Sequence, residues 1–195
     1  MKFIDIINNH LENIFKQNDE FAYLSMTGKI ENNVRDKLAF SLYKELKNDY
    51  YVLREFKGQS FTDRTDIAIL DKNDIVVCLI ELKARAVPGI NKEFIQLLNK
   101  DISKMNNKSE KCQNISIVIF NNIVNLDFNT KHIRYFESKH LKNFENLLTK
   151  IKEDNNKIQN ETELILSKEI KIESGNFYNT KIENIIYTYT NGNNI

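Results

Sequence analysis

At 195 residues the chain is long enough for one well-cored domain and too short for two full ones. An apolar fraction of 41% beside 28% charged residues is ordinary for a globular protein and argues against a disordered chain. The formal net charge of only +1 excludes a polycation that binds nucleic acid by bulk charge, so any such binding has to be local.

Residues 2–18 place Phe3, Ile6, Ile7, Leu11, Ile14 and Phe15 at steps of three and four, the pattern of a helix with one apolar stripe. A polar break at Gln17–Glu20 and a short apolar patch, Phe21–Leu24, lead to Ser25-Met26-Thr27-Gly28, a start signal for a second helix reaching about Asn48. Its stripe is Ile30, Val34, Leu38, Leu42 and Leu46. Glu31 lies beside that stripe, where it either serves a site or pairs with Arg35 one turn on, a contact worth only ~0.3–0.5 kcal/mol.

YYVLREFK, over residues 50–57, reads as a strand ended by Gly58. Thr65–Leu70 and Ile75–Leu82 are rich in β-branched and aliphatic residues and flank the turn formers Asp71-Lys72-Asn73-Asp74, so they predict a β-hairpin that completes a three-strand meander. Asp63 reads as a turn residue as well. Pro88-Gly89 breaks the chain, and Asn91 caps a helix from about Lys92 to Met105 with Phe94, Leu97, Leu98 and Ile102 as its stripe. Gln96, Lys100, Asp101 and Lys104 fall on the flanks and opposite face of that helix.

NISIVIF, residues 114–120, is a short continuous apolar run, the mark of a strand buried on both faces. Ile133–Phe136 reads as a further strand and His140–Lys152 as a helix. Beyond Asp154 an Asn-rich link precedes two strand-like runs, Glu163–Glu173 and Ile182–Tyr189, separated by Ser174-Gly175-Asn176. The fold class expected is therefore α/β: a core over residues 1–154, in the order helix, three-strand meander, helix, strand, with an added N-terminal helix. Residues 155–195 form a small C-terminal β appendage in this reading.

Cys78 falls on the apolar face of a strand and Cys112 near the start of another, with no C-x-x-C or Cys/His cluster, which argues against a zinc site or disulfide. His10, His132 and His140 are scattered and read as structural or exposed. Met1 leads an amphipathic segment, and no run approaches the ~18 apolar residues of a membrane span, so the expectation is a cytoplasmic protein with no membrane partner.

The hairpin carries the chemistry. Alternation along a strand puts Glu81 and Lys83 on one face and Ile80 and Leu82 on the other. A turn over 71–74 sets Asp66 roughly opposite Leu79 and diagonally across from Glu81, about 7–8 Å between Cα atoms. Carboxylates at that spacing suit a hard cation such as magnesium, which keeps several waters and accepts phosphate oxygens, and the backbone carbonyl of Leu82 is a further ligand between them. An ammonium alongside orients or helps deprotonate a metal-bound water and neutralises charge building on a scissile phosphate. A lone E-x-K is common on solvated strand faces. Its weight here comes from an Asp of matching parity on the adjoining strand and an acidic residue in the helix before the meander.

These residues resemble the PD-(D/E)XK nucleases, the restriction-endonuclease-like superfamily. Asp66 stands at the Asp position, Glu81-Leu82-Lys83 at the (D/E)XK position, and Glu31 at the frequent acidic position of the preceding helix. The resemblance covers roughly residues 27–122. It implies metal-dependent hydrolysis of a phosphodiester, typically in DNA, by in-line attack of water, leaving a 5′-phosphate and a 3′-hydroxyl. It also implies that Asp66, Glu81, Glu31 and the Leu82 carbonyl hold Mg2+, with Mn2+ as a substitute, and that Lys83 attends the nucleophile. Thr65 replaces the proline that precedes the Asp, and Gln96 is followed by Lys100 where some branches place a Tyr.

RTDIAIL and IELKA look most like the nuclease modules of restriction and phage-defence systems, which implies duplex DNA as substrate, a homodimer, and other subunits of a defence system as partners. Arg64, two residues before Asp66 on the same strand face, and Gln96, Lys100 and Lys104 on the helix are the candidate nucleic-acid contacts. Solvated surface charge is their other reading. Two alternatives remain at this stage: a catalytically inactive subunit of nuclease fold, and an unrelated interaction protein in which Asp66 and Glu81 lie far apart or on opposite faces.

Overall fold

A computed structural model describes residues 2–27, 30–57, 63–85, 89–107, 112–124 and 146–191. In chain order these form α1 (Phe3–Phe15), α2 (Asp19–Thr27), α3 (Glu31–Leu46), β1 (Tyr51–Phe56), β2 (Thr65–Leu70), β3 (Val76–Arg85), α4 (Lys92–Asn106), β4 (Gln113–Ile123), α5 (Leu147–Glu161), β5 (Leu164–Phe177) and β6 (Thr180–Asn191). The six strands make one mixed sheet in the order β1-β2-β3-β4-β6-β5. β3 and β4 are parallel, joined by a crossover through α4, and the other neighbours are antiparallel.

Strand alternation sorts the core into two layers, one on each face of the sheet. Ile67 and Ile69 of β2, Ile80 and Leu82 of β3, and Ile115, Ile117 and Ile119 of β4 pack with α1 and α3. The whole α3 stripe, Ile30, Val34, Leu38, Leu42 and Leu46, is buried there. On the opposite face, Val118, Phe120, Ile185, Tyr187 and Tyr189 pack with α4 and α5. β4 is therefore covered on both sides, as its continuous apolar run predicts.

Several elements depart from the sequence reading. Residues 19–27 are a helix, α2, because Phe21, Ala22, Ser25 and Met26 recur at helical spacing and bury together; the apolar patch is one turn of that helix. The Asn-rich stretch after Asp154 continues α5 to Glu161, with Asp154 and Asn155 buried beside Ile151 and Ile158. Polar residues there face the core because each finds a partner: Asp154 accepts the N–H groups of Gly89 and Ile90, and Asn155 accepts the Tyr189 hydroxyl. The strand expected at Ile133–Phe136 and the start of the helix expected from His140 lie outside the described residues.

The two C-terminal strands, read as an appendage, extend the same sheet, β6 pairing with β4 from Ile115–Thr190 to Ile123–Ile182. Ser174-Gly175-Asn176 is not the turn between them. Gly175 sits at φ 143° in a β5 bulge, where a Cβ would collide with Asp19 Oδ1, and the hairpin closes at Tyr178 and Asn179. Among the described residues, no helix is long and apolar enough to cross a membrane.

Candidate active site

The site begins at the β2–β3 hairpin. Asp71 Oδ1 accepts the N–H groups of Asn73 and Ile75, each at 2.9 Å, and the Asp71 N–H donates to the Ile75 carbonyl at 2.9 Å. Asp74 takes a left-handed conformation at φ 61°, so residues 72–74 form a three-residue loop of the kind that ends in an αL position. The pairing then slips once more, because Leu70 faces Val76 while Ile69 faces Cys78, leaving Val77 as a bulge. Ile67 faces Ile80. The next step of that register sets Asp66 directly opposite Glu81, at roughly 4.5–5.5 Å between Cα atoms rather than on a diagonal.

Both carboxylates project from the sheet face that carries Ala68, Leu70 and Leu79, the face covered by Met105 of α4. Asp66 Oδ2 accepts the Leu82 N–H at 2.9 Å, and its Oδ1 lies 3.8 Å from Arg35 Nη1 of α3. Since the N–H and C=O of one strand residue project to the same side, the Leu82 carbonyl also faces Asp66. Lys83 Nζ donates to that carbonyl at 3.2 Å. From the first turn of α3, Glu31 Oε2 accepts the Ala84 N–H at 3.2 Å, which seats a third acidic side chain immediately after the Glu-Leu-Lys run. Arg35 binds Asp36 and Glu55, both at 3.1 Å.

Helix α4 completes the arrangement with a residue that spacing alone did not single out. Asp101 Oδ2 lies 2.8 Å from Lys83 Nζ, and its Oδ1 lies 3.3 Å from Lys104 Nζ. Lys104 in turn pairs with Glu81 Oε1 and donates to the Arg64 carbonyl at 2.8 Å. The signal for Asp101 was its place on the helix flank beside Leu98, Ile102 and Met105, which a β-α-β crossover turns toward the strand just left. Gln96 and Lys100 face outward; Lys100 is 4.0 Å from Asp63. The Arg64 guanidinium is exposed and 3.5 Å from Glu55. Of the four candidate nucleic-acid contacts, only Lys104 enters the cluster.

Electrostatics follow from burial and crowding. Burial, and after it the charge of Asp66, pushes the Glu81 carboxyl up to about 8, while Lys104 opposes the rise. Burial disfavours the charged form of Lys83, but its hydrogen bond to Asp101 and the charges of Asp101, Glu31 and Glu81 outweigh this, so its pKa is raised. The same balance, with Glu81 and Asp101 as partners, raises Lys104.

Among the described residues, no three His, Cys, Asp or Glu side chains form a ready cage for a metal ion. Magnesium does not need one, since it is held by one or two protein carboxylates together with waters and substrate phosphates. Asp66 and Glu81 on one face, with the Leu82 carbonyl beside them, fit that donor set.

A pH dependence of stability follows. Between the usual 4.5 and about 8, the folded chain keeps a proton on Glu81 that the unfolded chain has lost, so this residue lowers stability as pH rises through that window. Thermal unfolding of wild type and Glu81→Gln at pH 5 and pH 8 is expected to show the variant gaining on the wild type at the higher pH. Parallel curves would contradict the assignment.

The chain has no significant match to a protein-family model, a curated protein or a solved structure.

Proposed function

We propose that this protein is a magnesium-dependent DNA endonuclease of the PD-(D/E)XK type, hydrolysing phosphodiester bonds. The observation that carries this reading is the opposition of Asp66 and Glu81 on one sheet face with Lys83 two residues further along the same strand. The order α3, β1-β2-β3 meander, α4, parallel β4 agrees with the core expected of that superfamily. Asp66, Glu81 and the Leu82 carbonyl would hold the ion, with Glu31 bracing the strand beside them. A bound magnesium ion lowers the pKa of water and neutralises charge on phosphate oxygens.

Lys83 has a defined part. Asp101 keeps it protonated at neutral pH, so it serves as a fixed positive charge that orients the attacking water and receives the charge growing on the phosphate. Arg64 and Lys100, exposed on the rim, would contact the DNA backbone. Duplex DNA is the expected substrate, and two copies of the chain would provide one site per strand. A cytoplasmic restriction or phage-defence role fits this chemistry.

The test is incubation of plasmid and linear duplex DNA with Mg2+, Mn2+ or EDTA. Cleavage is expected with either metal, none with EDTA, and Lys83→Ala is expected to be slower by about a hundredfold. A second reading, an inactive nuclease-fold subunit that binds nucleic acid, draws on the cations already set against the carboxylates, Arg35 on Asp66 and Lys104 on Glu81. Folded wild-type protein that binds duplex DNA and cuts none of these substrates would favour that reading.

A further inference from the structure

We propose that Lys104 is a built-in counter-ion of the carboxylate pair, which an incoming divalent cation has to displace from Glu81, so that this lysine sets the affinity of the site for metal. The inference rests on the reading of Asp66 and Glu81 as metal ligands. Lys104 Nζ is in contact with Glu81 Oε1, and a divalent ion bound to the same carboxylate at ~2.0–2.6 Å would share that space with a second positive charge. Arg35 does not stand in the same way, at 3.8 Å from Asp66 Oδ1 and engaged by Asp36 and Glu55.

The lysine also has a place to retreat. Its ammonium already touches Asp101 Oδ1 at 3.3 Å and the Arg64 carbonyl at 2.8 Å. Leaving Glu81 therefore keeps a largely buried charge paired and hydrogen-bonded, the condition under which such a charge is tolerated away from water. Glu81 has only 5% of its surface exposed, so its other neighbours cannot be replaced by bulk water when the lysine withdraws.

The sign of the effect does not depend on the protonation of Glu81. Loading a divalent ion raises the charge of the carboxylate pair by two if Glu81 starts ionised and by one if it starts protonated, and a neighbouring ammonium opposes either rise. Against either starting state, Lys104 disfavours the loaded site. Removing its charge tightens metal binding.

Isothermal titration of MgCl2 or MnCl2 into the full chain without DNA tests this, using wild type, Lys104→Met and Lys104→Gln at one pH. Both neutral variants are expected to bind metal about tenfold more tightly than wild type. Two variants guard against a local packing defect, and thermal unfolding confirms that each is folded. Equal or weaker affinity in the folded variants overturns the proposal, as does a lack of metal binding by all three proteins. Cleavage assays separate this from the nuclease reading. Tighter binding in a chain that cuts no DNA upholds the counter-ion and removes the nuclease, whereas metal-dependent cutting with unchanged affinity does the reverse.

Discussion

Asp66→Asn is expected to slow metal-dependent DNA cleavage by about a thousandfold while leaving the fold intact. The substitution keeps the shape of the side chain, and the amide oxygen still accepts the Leu82 N–H now held at 2.9 Å. What it removes is one of the two carboxyl groups set on one face across β2 and β3. A neutral amide is a poor ligand for a hard cation, so the ion would be held by Glu81 and the Leu82 carbonyl alone. Stability is expected to change by less than about 1 kcal/mol, because the lost ion pair with Arg35 is long and the repulsion on Glu81 is relieved. The check is a cleavage time course beside a urea unfolding curve. Undiminished cutting by the folded variant would place the chemistry elsewhere.

The second large effect is on stability. Asp154→Ala is expected to cost about 3 kcal/mol, since it deletes a buried carboxylate that accepts two backbone N–H groups, Gly89 at 2.6 Å and Ile90 at 2.8 Å. Both donors would be left without their partner. Lys157 Nζ holds the same turn through the Ile90 carbonyl at 2.9 Å, so α5 grips the chain on both sides of this peptide unit. The turn leads directly into the Asn91 cap, whose side chain accepts the Phe94 N–H at 3.0 Å and starts α4. Because α4 presents Asp101 and Lys104 to the site, loosening its start lowers activity as well. Urea unfolding reads the loss, a melting temperature lower by roughly 6–12 °C agrees with it for a chain of this size, and Asp154→Asn is expected to lose about half as much. A loss below about 0.5 kcal/mol in the Ala variant would show that the turn is held by other contacts.

The parts of the site legible in the sequence are those governed by strand period. Thr65–Leu70 is a strand with the bounds its composition suggests, and the parity of Asp66, Glu81 and Lys83 puts them on one face. Register was not legible in full. The hairpin loop is three residues long and Val77 bulges, and the two slips together carry Asp66 from the diagonal to the position opposite Glu81. Each slip alone would reverse parity and the two together restore it, which is why the same-face expectation survives.

Asn91 as a cap was readable because capping is local chemistry between a side chain and an N–H three residues on. Asp101 was not, since its role depends on which flank of α4 meets β3, a tertiary fact. The joining of β6 to β4 is likewise invisible to local pattern: a strand shows its faces in sequence, but its edges carry only backbone groups common to every residue. The helical course of 155–161 was obscured by composition, because the buried Asp154 and Asn155 look like loop residues until their partners are known.

The most direct measurement is crystallographic: diffraction from crystals of the protein soaked in MnCl2, with an anomalous difference map at the manganese edge. A peak is expected within ~2.0–2.6 Å of carboxylate oxygens of both Asp66 and Glu81, near the Leu82 carbonyl, with Lys104 withdrawn from Glu81 toward Asp101 and the Arg64 carbonyl. A map with no peak between these two carboxylates at a manganese concentration that supports cleavage, or with Lys104 still seated on a metal-loaded Glu81, would contradict this expectation.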